Sequence, residues 1–394
     1  MAVRAYRILS VGIFLVVLGL LLLYLCFIDL SWLSMYDRAL MITVAGAIVV
    51  VVNLIVLALA GRVRPIYAHF LSDIGHAVAL IIVIVAVITM PFMYFVPWFK
   101  IRPPYVETKT VSKAFYLSPG SSVKIVINSG LPLDVEIVQT TGISELNVNL
   151  TIRGGGLSDY EAKSQLSRIG YNVELLEVNS GRYVLKVDIW SAGNGFSRFF
   201  SVAQYLTLKL PSNIVLDNVS VISPYIEARL SDLKCTGLLI SSSTGDVEID
   251  SCEVKCIELR LSVGDVSIKD TTASMMDVDV NIGDIKASVA SRNCTFKVNI
   301  GDVNVKVVPL DSGCLKASVN IGDLKIVLRR LSGYGYRFNV NVKIGSYSIG
   351  FSDIKYISKG MLNAAAETEN FQYAEYVFEV FASTSIGDVN IAEG

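Results

Sequence analysis

Two patterns of apolar and polar positions divide the chain. At the front, three apolar runs, Ile8–Ile28, Ala39–Ala60 and Ile74–Trp98, each hold at least 20 residues and no charged side chain. About 20 apolar residues in a helix cross about 30 Å of hydrocarbon, so this pattern predicts three transmembrane helices over residues 1–98. Beyond a linker at 99–112 the pattern changes to a period of two, which is the mark of strands with one face in a core. A short helix is predicted at Ser158–Ile169 within a membrane-proximal β-rich region at 113–218. An aromatic-rich loop follows at Gly193–Phe200.

From 219 to 394 the strand pattern repeats. Aligned on their glycines, the units centre on Gly245, Gly264, Gly283, Gly301, Gly322, Gly345 and Gly387, at spacings of 19, 19, 18, 21, 23 and 42 residues. Self-similarity near 20 residues predicts stacked repeats. Apolar residues stand five, three and one before each glycine, as in Phe296, Val298 and Ile300. After it they stand two and four beyond, as in Val303 and Val305. The alternation therefore slips by one residue at Gly-Asp. A flat strand cannot absorb such a slip, because it turns every side chain to the other face. Gly-Asp thus reads as a corner between two strands that share one core. Glycine suits its backbone angles, and aspartate can bond nearby N–H groups. Val219 and Val221 with Pro224-Tyr225, and Ile125 and Ile127 with Ser129-Gly130, read as earlier corners. The stretch 352–372 breaks the pattern and is expected to be an inserted loop or helix. The predicted fold class is three transmembrane helices followed by an extracytoplasmic parallel β-solenoid of roughly 20-residue coils.

Charge adds orientation. Arg4, Arg7, Arg62 and Arg64 flank one side of the apolar runs, which places the N-terminus in the cytoplasm and the C-terminal part outside a plasma membrane crossed several times. The mean hydropathy of +0.55 agrees with membrane residence. With 34 basic and 35 acidic side chains, no global field draws the chain to nucleic acid.

The candidate chemistry is sparse. The corner carboxylates Asp246, Asp265, Asp284, Asp302, Asp323 and Asp388 form a series, with Ser346 in the remaining place. They read as structural turn caps, with no cofactor. A column of calcium ions is the alternative, since hard cations favour oxygen ligands, although each corner offers only one carboxylate. Asn281, Asn299 and Asn320 read as a stacked amide ladder. Cys294 with Cys314, and Cys235 with Cys252 or Cys256, are candidate disulfides in an oxidising compartment. Asn149, Asn218 and Asn293 begin N-x-S/T sequons. Both histidines, His69 and His76, precede the β region, which removes the commonest general base; no catalytic or metal site is assigned, and the chain reads as not an enzyme.

From about residue 113 onward the chain resembles the prokaryotic domain of unknown function labelled "putative adhesin". The resemblance is carried by "LTLKLPSN" at Leu206–Asn213 and by "SSSTGDVEI" and "RLSVGDVSI" at 241–249 and 260–268. It implies a membrane-tethered cell-surface β-solenoid. The expected role is structural, adhesive or envelope-interacting, with a surface glycan or envelope protein as partner and self-association through the helices. The alternative is a sensor or regulatory accessory that acts through partners of the membrane helices.

Overall fold

A computed structural model of the chain describes residues 103–156, 158–192 and 202–394. They form twenty strands and one α-helix. In chain order the strands are β1 (Tyr105–Tyr116), β2 (Ser122–Ser129), β3 (Leu133–Thr140), β4 (Glu145–Gly156), β5 (Ile169–Asn179), β6 (Arg182–Ser191), β7 (Gln204–Pro211), β8 (Val215–Ser231), β9 (Lys234–Asp250) and β10 (Glu253–Val263). There follow β11 (Val266–Ile282), β12 (Ile285–Ile300), β13 (Val303–Ile321), β14 (Leu324–Leu328), β15 (Tyr334–Ile344), β16 (Tyr347–Gly350), β17 (Ile354–Lys359), β18 (Asn363–Thr368), β19 (Tyr376–Ile386) and β20 (Val389–Glu393).

The fold class is therefore nearly all β, which corrects the expected three-helix membrane class. Among the described residues no helix is long and apolar enough to cross a membrane, and the multi-pass plasma-membrane location is corrected with it. The one α-helix, α1 (Asp159–Arg168), spans ten residues, about 15 Å, and buries only Ala162. The three apolar runs at 8–28, 39–60 and 74–98, and the aromatic-rich loop at 193–200, lie outside the described residues.

Helix α1 begins where local chemistry dictates. Ser158 accepts a hydrogen bond from the Glu161 N–H, and Asp159 and Glu161 favour the positive end of the helix. It rests on β4 at Gly154, where a Cβ would lie 2.5 Å from the Ala162 carbonyl oxygen.

Each coil contributes to two ladders that meet at the corner. In the first ladder the strands run β2, β8, β9, β10, β11, β12, β13, β19 and β15, all parallel, through the segments that precede the glycine. The second runs β3, β8, β9, β11, β12, β13, β14, β20 and β16 through the segments that follow it. Before β2 the first ladder continues through β6 and the antiparallel β5; before β3 the second continues through β7, β4 and β1. Inward residues of both ladders, among them Leu259, Val278, Phe296, Val266, Ile285 and Val305, are at most 1 % exposed and join one core.

The order of coils in space differs from their order in sequence. Strand β19 lies between β13 and β15, and β20 lies between β14 and β16. The coil centred on Gly387 thus stacks directly after that of Gly322, and the Gly345 coil comes last. Between Ser352 and Gln372 the chain forms β17 and β18, an antiparallel pair, with β18 laid antiparallel on β15. A 3-10 turn follows at Phe371–Tyr373.

Candidate functional site

The corner column is built from two contacts repeated at each coil. Gly245, Gly264, Gly283, Gly301, Gly322, Gly387 and Gly345 all have φ between +128° and +140°. Gly245 packs on the Ile226 backbone and each of the others on the corner glycine of the adjacent coil; a Cβ on Gly264 would stand 1.9 Å from the Gly245 carbonyl oxygen. The carboxylates provide the second contact. Asp265, Asp284, Asp302, Asp323 and Asp388 each donate their backbone N–H to Oδ1 of the aspartate one coil earlier, at 2.8–3.0 Å. Ser346 donates both its N–H and its hydroxyl to Asp388. The carboxylate thus caps the next coil's turn rather than its own. At the earlier coil the positions of Gly245 and Asp246 are taken by Ile226 and Glu227, so the corner falls at Ile226-Glu227 and not at Pro224-Tyr225.

Asn281, Asn299 and Asn320 stand exposed two residues before their glycines and form a directional chain. Asn299 Nδ2 donates to Asn281 Oδ1, and Asn320 Nδ2 donates to Asn299 Oδ1, each at 3.0 Å. The residue just before each glycine departs from the sequence reading, which turned it into the core. Ile282, Ile300, Ile321, Ile386 and Ile344 are 40–64 % exposed, because the backbone has already begun to bend at that position. They form an outward apolar ridge beside the amides. The signal for the ridge was the slip itself: two strands sharing a core leave one apolar position at the bend unaccounted for.

Outside the first ladder, two adjoining depressions of about 430 and 390 Å³ share Asp279. One is lined largely by serines, among them Ser223, Ser241 and Ser262; the other by Asn299, Asn320, Asn341 and Ser318, with Lys297 and Lys343. Together they touch all nine parallel strands from β2 to β15. Among the described residues, no group of three or more His, Cys, Asp or Glu side chains is placed to hold a metal ion.

The expected disulfides are corrected: Cys235, Cys252, Cys256, Cys294 and Cys314 are all free thiols. Register explains why. Cys314 pairs across the ladder with Asn293, so Cys294 and Cys314 are one position out of phase and address opposite faces. Cys256 aligns with Gly237, and Cys235 with Val254, two residues from Cys252. Burial pushes the thiols of Cys235 and Cys294 up to about 12 and that of Cys252 up to about 11. We expect Cys235, Cys252 and Cys294 to alkylate at least about a hundredfold more slowly than an unfolded control at pH 8, with half-buried Cys256 and Cys314 labelled first, as mass spectrometry of the tryptic peptides would report. An unfolded chain releases these protons near pH 9, whereas the fold retains them. Their contribution to stability is therefore full below pH 9 and is lost as the pH rises toward 12. Of the sequon asparagines, Asn149 and Asn218 are exposed, while Asn293 is half-buried and accepts the Cys314 N–H.

These coils and corners define a repeat protein of stacked parallel strands. Residues 172–336 match the family model Toastrack DUF4097, which bears out the resemblance read from the corner phrases. No curated protein matches the chain. Among solved structures, it is similar to a "putative adhesin" from Bacteroides fragilis at 10 % identity, covering 72 % of this chain and 97 % of that one, with a TM-score of 0.37. A "putative lipid binding protein" from Parabacteroides distasonis aligns at 14 % identity over 72 % and 96 % of the two chains, with a TM-score of 0.36. A "putative cell adhesion protein" from Clostridium sporogenes aligns at 11 % identity over 73 % and 100 %, with a TM-score of 0.25.

Proposed function

We propose that the protein is a non-catalytic adhesive or structural scaffold that holds an extended macromolecule against its first ladder. The observation that carries this reading is how the repeated residues are spent. Each corner glycine is committed to stacking and each aspartate to the next coil's amide, so what varies from coil to coil is the row of outward side chains. A rigid stack with a variable outer face suits recognition of something long. A binding surface needs fixed side chains more than a deep cavity when its partner is a polymer or another protein.

The test is adhesion. Beads coated with the full chain should adhere to cells of the source organism in a saturable manner, and excess soluble chain should displace them. Adhesion no stronger than that of heat-denatured chain would overturn the reading.

The same reading treats the corner carboxylates as joints and not as calcium ligands, because each already accepts an amide N–H. Excess chelator is therefore expected to leave the thermal midpoint unmoved, and a downward shift would restore the calcium column.

A further inference from the structure

We propose that the first ladder carries a binding groove for a linear, neutral glycan that lies along the stack and across the strands. The inference rests on the scaffold reading above and adds the ligand class and the site. Three observations point to it.

The first is shape. The two depressions that share Asp279 cross nine parallel strands from β2 to β15. At about 4.8 Å between strands, that is a track of roughly 38 Å, long and open at the surface as a polymer requires.

The second is chemistry. The lining is dominated by hydroxyls and carboxamides, and the charges along the whole track are one carboxylate, Asp279, and three cations, Lys297, Lys343 and Arg260, the last ion-paired with Glu258. The single positive charge left over is not the basic stripe that a polyanion would call for. Hydroxyl groups of a sugar both donate and accept, and so do serine hydroxyls and amides.

The third is preorganisation. In the chain Asn320 to Asn299 to Asn281, each internal hydrogen bond uses one N–H and one lone pair. One N–H and one further lone pair at Asn299 remain outward in a fixed orientation, repeated in part at its neighbours. Fixing the side chains in advance lowers the entropic cost of binding. The isoleucine ridge of Ile282, Ile300, Ile321, Ile386 and Ile344 runs one residue further along each strand and stays exposed. It offers an apolar rail against which the C–H face of a pyranose ring can lie while its hydroxyl edge meets the amides.

Affinity electrophoresis of the full chain tests the proposal, in gels containing β-glucan, glucomannan, xylan or chito-oligosaccharide, with polygalacturonate and heparin as anionic comparisons. Retardation by at least one neutral glycan is expected, with weaker retardation by either polyanion. The double variant Asn299→Leu/Asn320→Leu should weaken that binding about tenfold. Ser318→Arg, which fills the groove without altering the amide chain, should weaken it similarly. Lys286→Ala on the outer face of the second ladder should leave it unchanged, and matching thermal midpoints confirm that each variant is folded. Retention by none of the neutral glycans, stronger retention by the polyanions, or full binding by both groove variants would overturn the proposal. The bead assay separates the two levels. Adhesion that survives both groove variants defeats the glycan site and leaves the scaffold reading standing, whereas no adhesion by the unaltered chain defeats both.

Discussion

Replacing Gly301 with alanine is expected to cost about 4 kcal/mol of stability and to lower the melting midpoint by roughly 10 °C. Two penalties coincide there. The backbone sits at φ +133°, a conformation that L side chains rarely adopt, and the added Cβ would stand 2.1 Å from the Gly283 carbonyl oxygen. That oxygen belongs to the backbone of the neighbouring coil, which is itself held by the ladder on both sides. Gly120 provides the contrast. Its φ is +80°, but nothing lies within 4 Å of a Cβ there, so Gly120→Ala should cost only about 1 kcal/mol. Urea unfolding of the two variants checks the difference. Equal losses would mean that glycine serves only the dihedral angle and that close stacking of the corners contributes nothing.

Removing residues 374–394 is expected to be more damaging still. Strand β19 is bonded to β13 on one side and β15 on the other, and β20 fills the same place between β14 and β16. The cut would take away the buried Phe378, Val380, Ala382, Val389 and Ile391 and leave four unpaired edges, those of β13 and β15 in one ladder and of β14 and β16 in the other, facing a gap in the core. Phe378→Ala alone should cost about 3–5 kcal/mol. The truncated chain is expected to aggregate, since open edges pair with other chains, and to lose its single cooperative melt. A peptide covering 374–394, added during refolding, should restore the elution volume of the uncut chain on a sizing column by taking the vacant strand position. An unchanged melt after truncation would contradict the inserted arrangement. The same arrangement bears on folding. Corner contacts between the preceding coils span 18–21 residues, but that from Asp388 to Asp323 spans 65, so this coil is expected to close late.

The corners were legible in the sequence because a period of two that slips by one residue has few structural solutions. Asp284 and Gly283 could be placed at a bend from Val280 and Ile285 alone. The outward turn of Ile282 and Ile300 was marked only by the slip, because an apolar residue in phase with its strand reads as core until the point where the bend starts is known. The place of Gly387 was not legible. Spacing along the chain reports coil length but not stacking order, and nothing local in Tyr376–Ile386 marks it for insertion between earlier strands. The cysteine pairs failed on register: Cys294 and Cys314 fall on neighbouring coils, yet a difference of one residue sends them to opposite faces. The candidate groove escaped detection for a related reason. Its serines and asparagines are ordinary solvent-facing residues in each strand, and only stacking joins them into a track.

The antiparallel hairpin of β17 and β18 closes one side of the outermost coil. A parallel ladder of this kind invites another copy to continue it, coil upon coil, into a fibre. Strand β18 lies against β15 in the opposite direction, and β17 beyond it is broken by an irregular register between Tyr356 and Ser358 and carries exposed Lys355 and Lys359. A second molecule approaching there finds a reversed, kinked and charged border in place of the template that it would need.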